Sequence, residues 1–291
     1  MALLAIGLTM IYGILKFANF SHTEFATLGA YLTFMLTTTL RINIFFSAPI
    51  AVMLTGLVAV IVDKLTFKKL RQAGSVSLMV LSIGLAICFR SSIQSIWGAQ
   101  IRGYPIDIFR GMEFLGIRIT PIQITILIVA LVCMLIFHLL LIKTRIGKAM
   151  RATSDNLILA QASGINTDGV IMWVWFIGAS FAAIGGILIG LETQLRPNMG
   201  FAILLPVFAT AILGGIGSVY GAMMGGMILG IVENIGISFD FGILINIVGI
   251  SRPEGIYISP SYKPAISFAI LIIILLVRPG GIFGKRGDRE G

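Results

Sequence analysis

Long apolar stretches, separated by short polar or glycine-rich breaks, run along almost the whole of this 291-residue chain. Only 11% of the residues are charged and the mean hydropathy is +1.02, whereas a soluble domain carries about 25% charged residues. Such a surface suits lipid, and a helix that crosses a bilayer uses about 20 apolar residues. The sequence therefore predicts an all-α fold: a polytopic integral membrane helical bundle with about eight to ten transmembrane helices in one domain, residues 1–291.

The apolar stretches locate the spans to within a few residues. Their approximate bounds are 1–15, 23–40, 47–62, 76–97, 121–142, 170–191, 201–216, 219–237 and 264–279. Several are short for a full crossing, which favours tilted, broken or re-entrant segments. The chain begins inside an apolar stretch with no basic segment before it, so no cleaved signal peptide is expected.

Basic residues are unevenly distributed over the segments between the spans. If the spans alternate from an outer N-terminus, 13 of the 21 Lys and Arg residues fall on the inner side. Lys and Arg concentrate on the cytoplasmic side of membrane proteins, so this distribution predicts the topology and explains the net charge of +9. Nucleic acid is therefore not an expected partner. The inner group is Lys16, Lys64, Lys68, Lys69, Arg71, Lys143, Arg145, Lys148, Arg151, Arg278, Lys285, Arg286 and Arg289.

The longest polar interruption on the inner side covers residues 143–164. Ser154 or Asp155 can cap a helix over residues 157–163, and Gly164 suits a left-handed residue beyond its end. This short helix would lie beneath the membrane with apolar residues on one face. It is either a solvated connector held to lipid headgroups by basic residues or a helix that docks in a cleft of a soluble partner.

A polar motif, NFSHTE at residues 19–24, precedes the second span. Polar and ionisable residues at membrane depth are energetically costly and are often functional, so Asn19, His22 and Glu24 are candidates for a polar pathway through the bundle. The same motif also matches a capping box, in which the side chains of Ser21 and Glu24 satisfy the first N–H groups of the helix. Both interpretations stay open from the pattern.

Small residues recur at every fourth position in two spans. They are Gly178, Ala182, Gly186 and Gly190 in the first, and Gly217, Gly221 and Gly225 in the second. Such faces let helix backbones approach closely in lipid, so the pattern predicts helix packing. The intervening GGIGS at residues 214–218 lacks the spacing of a phosphate-binding loop, and it predicts a tight turn between two packed helices.

The remaining chemistry-bearing residues form no recognisable constellation. The two cysteines and two histidines lack metal-ligand spacing, and no nucleophile–base pair is evident. The sequence therefore predicts no enzyme, no metal site and no cofactor bound by this chain. Arg90 is the basic residue placed well inside a span, where it is expected to snorkel or to pair with a polar group on another helix.

Several segments together resemble the permease subunits of bacterial branched-chain amino acid (leucine/isoleucine/valine) ABC importers, especially the smaller of the two paired permeases. NFSHTE (19–24) is similar to the family's NFAHGE, with Thr23 in place of glycine. TRIGKAMRA (144–152), continuing to GIN (164–166), matches T-R-x-G-R-A-x-R-A…G-I-N. The resemblance covers nearly the whole chain, and LGGIGS (213–218) and RPGGIFG (278–284) also fit it. The outer segment 238–263 is longer than in close relatives.

The resemblance implies a permease subunit that moves branched-chain or related amino acids across the bacterial cytoplasmic (inner) membrane. The implied partners are a second permease, homologous or identical, two cytoplasmic ATPases that hydrolyse ATP, and an extracytoplasmic substrate-binding protein. Residues 143–169 would form the coupling loop that docks on the ATPase. The residues matched to that loop are Arg145, Gly147, Arg151, Ala152, Ala160 and Gly164.

Two alternatives accompany this interpretation. Related permeases handle urea, short amides, sugars or nucleosides, and a separate binding protein largely selects the cargo. A stand-alone secondary transporter is the further alternative, although it would predict related halves with broken helices, and no clear internal repeat is evident.

Overall fold

A computed structural model describes residues 1–106, 112–114, 117–238, 259, 262–278 and 280–283. The helices, numbered in chain order, are α1 (Ala2–Leu15), α2 (His22–Thr38), α3 (Ile44–Val62), α4 (Lys68–Leu70), α5 (Ser75–Trp97), α6 (Pro121–Lys143), α7 (Arg145–Asp155), α8 (Leu157–Ala162), α9 (Thr167–Glu192), α10 (Met199–Gly214), α11 (Val219–Ser238) and α12 (Lys263–Val277). A π-helical turn, Asp63–Phe67, joins α3 to α4, and a 3₁₀ turn, Arg71–Ala73, follows α4. The antiparallel strands β1 (Met112–Phe114) and β2 (Ile117–Ile119) form a short hairpin before α6.

The helical membrane bundle predicted from composition is confirmed. A helix occupies each predicted span, and the ends differ by only a few residues. Within the described part of the chain, five helical segments are long and apolar enough to cross a bilayer: Ile44–Ala73, Ser75–Trp97, Pro121–Lys143, Thr167–Glu192 and Val219–Ile237. Shorter apolar helices are α1, α10 and α12. Most of the segment 238–263 lies outside the described residues.

Helix α9 is the central helix of the bundle, and its glycines are points of backbone contact. A Cβ atom at Gly186 would overlap the carbonyl oxygen of Ala26 on α2, and one at Gly178 would lie 3.3 Å from the carbonyl oxygen of Gly7 on α1. Ala182, between them on the same face, is fully buried. Close approach through small residues replaces the hydrophobic driving force that is missing between helices in lipid.

The outer end of α9 packs against the loop that follows α5. The side chain of Leu195 and the ring of Tyr104 fill the space beside Gly190. Burial raises the pKa of Tyr104, so its hydroxyl stays protonated and donates a hydrogen bond to the Ala30 carbonyl at 3.1 Å. Backbone hydrogen bonds between Arg102 and Leu195, of 3.0 and 2.9 Å, join the two outer loops.

Two of the three glycines predicted to form a packing face, Gly221 and Gly225, contact α10. A Cβ atom at Gly221 would overlap the backbone of Gly214, and one at Gly225 would lie 2.6 Å from the carbonyl oxygen of Thr210. Gly217 does not belong to this face, so its predicted packing role is wrong. It lies in the turn before α11 with φ of 91°, and an added Cβ would meet nothing within 4 Å. The tight turn predicted for residues 214–218 is confirmed.

The cationic segments assigned to the inner side meet at one end of the bundle. Phe17, next to Lys16, stacks on Phe67 with ring centroids 5.5 Å apart. The Ser154 hydroxyl of α7 donates to the Gly13 carbonyl of α1 at 3.2 Å. The Ile282 N–H, beyond α12, donates to the Leu213 carbonyl at the end of α10 at 2.8 Å. The spatial grouping agrees with the topology that the charge distribution predicts.

Helix α6 shows which residues this chain presents to lipid. Its exposed surface is apolar over most of its length and includes Ile124, Leu127, Ile128, Leu131, Leu135 and Leu139. A helix with such a surface has no stable place in water, whereas hydrocarbon needs no polar partner.

Candidate functional site

The polar segment between α6 and α9, called the insert below, consists of two helices, α7 and α8, instead of the single helix predicted. The Thr144 hydroxyl caps α7 by accepting a hydrogen bond from the Gly147 N–H at 3.0 Å. A Cβ atom at Gly147 would overlap the carbonyl oxygen of Leu140, so only glycine lets α7 turn this closely against the end of α6. The sequence signal for this helix was Thr144, a residue type favoured at helix N-caps, directly before its first residue.

The residue that caps α8 also differs from the prediction. Ser154 and Asp155 are still helical in α7, and the Asn156 side chain accepts the Leu159 N–H at 2.9 Å. Asn156 has extended backbone geometry, with φ of −154° and ψ of 108°, as an N-cap requires. Gly164, beyond the end of α8, has a φ of 82°, in the left-handed region.

Helix α8 exposes two large apolar side chains beneath the bundle. Ile158 is 77% exposed and Leu159 is 64% exposed, whereas the next residue of α8, Ala160, is buried. Of the residues matched to the family's coupling loop, Arg145, Arg151 and Gly164 are exposed and Ala152 is half-buried. Which apolar residues of α8 are exposed does not follow from the sequence, because a short helix can turn any of its faces outward. Adjacent exposed apolar side chains at a polar surface are characteristic of interaction sites.

A charged cluster fastens the residues after the insert to the end of α3. Arg71 donates hydrogen bonds of 2.7 and 2.6 Å to the two carboxylate oxygens of Asp63, which is buried. Asp168, in the first turn of α9, accepts from Lys68 at 2.8 Å and from Arg71 at 3.3 Å. The four side chains come from segments about 100 residues apart in the chain, a separation that local patterns cannot bridge.

The polar motif covers three non-helical residues, 19–21, and the first three residues of α2, and all of it except Phe20 is buried. The Asn19 side-chain oxygen accepts hydrogen bonds from the Ser21 N–H at 3.1 Å and from the Ser21 hydroxyl at 2.8 Å, and it thereby shapes the turn into α2. The Phe20 N–H donates to the Ser82 hydroxyl of α5 at 3.1 Å. Non-helical backbone at membrane depth is tolerated where protein groups satisfy it in this way.

The predicted capping box is wrong. Ser21 makes no side-chain capping hydrogen bond to α2, because its hydroxyl is turned back to Asn19. Glu24 is directed away from the helix end and pairs with Arg90 of α5, at 2.9 Å between carboxylate oxygen and guanidinium nitrogen. The expectation that Arg90 pairs with a polar group on another helix is confirmed.

Asn19, His22 and Glu24 do not converge on one point. The Nε2 atom of His22 lies 3.0 Å from the Leu4 carbonyl oxygen, and its ring fills the space beside Gly7 on α1. Glu24 instead faces α5 and α10. The motif therefore connects α2 to α1 through the histidine and to α5 through the glutamate.

The arrangement is that of a polytopic membrane permease: helices packed on glycines, a broken segment with buried ionisable residues at membrane depth, and a helical insert displayed at the cationic end. The chain belongs to the family described as branched-chain amino acid transport system / permease component, whose profile matches residues 1–275. The family resemblance inferred from the motifs is thereby confirmed.

Curated relatives are similar over nearly the full chain. The high-affinity branched-chain amino acid transport system permease protein LivH of Escherichia coli is 33% identical, and LivH of Salmonella typhimurium is 32% identical. The corresponding BraD protein of Pseudomonas aeruginosa is 30% identical. Each alignment covers 98% of this chain and 91% of the relative. No solved structure matches the chain significantly.

Proposed function

We propose that this chain is the membrane-embedded permease subunit of an ATP-driven importer of branched-chain or related amino acids in a bacterial cytoplasmic membrane. The cargo is supported by the names of the LivH and BraD relatives. The chain has no ATPase site of its own in this proposal. Its partners are a second permease, a pair of cytoplasmic ATPases and an extracytoplasmic binding protein.

The observation that carries the proposal is the exposed apolar tip of α8. Ile158 and Leu159 lie at the cationic end of the bundle, on a helix too short to enter the bilayer. A helix that presents apolar residues to a groove is a recurrent mode of protein recognition. Docking of this tip on the ATPase covers both side chains, and the exposed Arg151 lies on the neighbouring helix α7.

The contacts of α1 provide a mechanical connection from the docked insert to the interior of the bundle. Helix α7 is bonded to the inner end of α1 through Ser154 and Gly13, and the other half of α1 is bonded to His22 through Leu4. When ATP binding moves the partner dimer, α7 and α8 move with it, and α1 transmits the displacement to the start of α2. A rigid helix with a contact at each end is a physical basis for coupling of this kind.

The docking surface is tested by the double substitution Ile158→Asp with Leu159→Asp in the assembled transporter. We expect co-purification of the ATPase and ATP-dependent L-leucine uptake to fall by about 30-fold, since apolar anchors at interfaces contribute about 2 kcal/mol or more. The matched control is Ile158→Met with Leu159→Met, which keeps the surface apolar and is expected to retain both activities. Unchanged assembly and uptake in the aspartate variant would overturn the docking proposal.

A further inference from the structure

Helix α5 exposes several polar side chains in its last two turns. Arg90 lies seven residues before the end of the helix at Trp97, about 10 Å along the axis at 1.5 Å per residue. The next two residues, Ser91 and Ser92, are exposed, and so is Gln94, one helical turn beyond Arg90. The lipid-facing surface of α6 is apolar by comparison. The exposed residues in the middle of α5, such as Ile83 and Ile87, are apolar too, so the polar residues exposed in its second half cluster around Arg90.

Arg90 is held in place by one of its nitrogens. Its Nη2 atom bonds to Glu24, whose carboxylate is almost completely buried, while 27% of the arginine side chain stays exposed. The Nε atom of Arg90 is buried and has no hydrogen-bond partner among the described residues, so a ligand can meet the guanidinium group only through its Nη nitrogens. These nitrogens together carry more N–H donors than the bond to Glu24 uses, so donors remain for another acceptor.

An apolar surface adjoins the guanidinium group. The Phe201 ring of α10 lies 4.5 Å from the Cζ atom of Arg90 and is itself 58% exposed. Leu205, one turn further along α10, is exposed on the same face. A cation beside exposed apolar side chains matches a ligand with a carboxylate at one end and an aliphatic group at the other.

Gly200 brings this apolar surface to the ion pair. Its N–H donates to the Thr27 hydroxyl at 3.0 Å, and a Cβ atom at Gly200 would lie 2.7 Å from the Thr23 carbonyl oxygen and 2.8 Å from a Glu24 carboxylate oxygen. The start of α10 can therefore lie directly on the first turn of α2. Phe201, the next residue, reaches Arg90 as a result.

We propose that Arg90 binds the carboxylate of an aliphatic amino acid on its way through the permease, and that Phe201 and Leu205 receive its side chain. The proposal rests on the proposed import function and assigns residues to it. A planar guanidinium group binds carboxylates through two parallel hydrogen bonds, which an ammonium group cannot reproduce. Glu24 is a positioning residue, because it orients Arg90 and is itself buried.

The test compares L-leucine with L-leucinamide, which lacks the carboxylate, as ligands of the assembled permease–ATPase complex. We expect L-leucine to raise the melting temperature of the wild-type complex and L-leucinamide to leave it unchanged. In Arg90→Lys the shift should disappear and ATP-dependent L-leucine uptake should fall by about 10- to 100-fold, the range for loss of hydrogen bonds to a charged group. Equal stabilisation by the two compounds, no stabilisation by L-leucine, or a full shift in Arg90→Lys would overturn the assignment.

Two further variants separate binding from a structural role of the ion pair. The double variant Glu24→Gln with Arg90→Gln removes both charges of the pair together. Neither charge is then left unpaired in the fold, so assembly should survive if the pair is only structural. We expect this double variant to assemble and to remain defective in uptake; wild-type uptake would overturn the proposal.

Phe201→Ala alters an exposed ring and leaves assembly intact, and it should raise the L-leucine concentration for half-maximal stabilisation. Failure of the wild-type complex to import L-leucine would instead overturn the proposed function itself.

Discussion

Replacing Arg71 by alanine is expected to destabilise the folded chain by about 3–5 kcal/mol, the range for removing one partner of a buried ion pair. Arg71 binds both carboxylate oxygens of Asp63, and the Asp63 side chain is only 4% exposed. Without the guanidinium group, the carboxylate is left with an uncompensated charge in a site that water barely reaches. Thermal unfolding of the purified protein in detergent measures the loss.

Lys68→Ala is the matched control for this substitution. Lys68 also pairs with an aspartate at the same end of the bundle, but the two side chains are 53% and 60% exposed. Exposed pairs contribute about 0–1 kcal/mol, so this variant should unfold almost as the wild type does. Equal losses of stability in Arg71→Ala and Lys68→Ala would show that burial of the Arg71–Asp63 pair is not the source of its contribution.

Gly186→Ala is expected to destabilise the bundle by about 1–3 kcal/mol, as overpacking does in a closely packed core. The added methyl group would overlap the backbone carbonyl of Ala26, and a backbone atom cannot move aside as a flexible side chain does. Helices α2 and α9 would have to separate along their shared face. The midpoint of unfolding by a denaturing detergent measures the change.

Gly230→Ala is the control, and it should have the opposite sign. Gly230 lies within α11, and a Cβ atom there would meet nothing within 4 Å. Alanine is more favourable than glycine in a helix interior by about 1 kcal/mol, so Gly230→Ala should be neutral or stabilising. If both alanine variants shift stability in the same direction, close backbone contact at Gly186 is not the cause of its effect.

The bundle could be predicted from the sequence because a bilayer imposes a length and a composition on every helix that crosses it. The apolar stretch 121–142 and the helix Pro121–Lys143 illustrate the agreement. The spacing that singles out Gly186 has a physical basis, since a helix repeats its faces every three to four residues. Gly217 has the same spacing but precedes the helix, and spacing alone cannot show where a helix begins.

The contacts that define the candidate site could not be predicted, since they join residues far apart in the chain. Glu24 and Ser21 match a capping box locally, yet Glu24 pairs with Arg90, 66 positions away. Arg90 also carries a charge inside a span and needs a polar partner, so pairing it with Glu24 satisfies two residues where a helix cap would satisfy one. The exposure of Ile158 likewise depends on how α7 and α8 pack against the bundle.

Uptake by purified components in proteoliposomes distinguishes a permease that depends on a partner ATPase from a transporter that works alone. We expect ATP-dependent accumulation of L-leucine when this chain is reconstituted with its second permease, ATPases and binding protein. We expect none when the ATPases are omitted, since α7 and α8 then have nothing to move them. Accumulation of L-leucine by this chain in the absence of any ATPase, with or without an ion gradient, would contradict the role proposed for it.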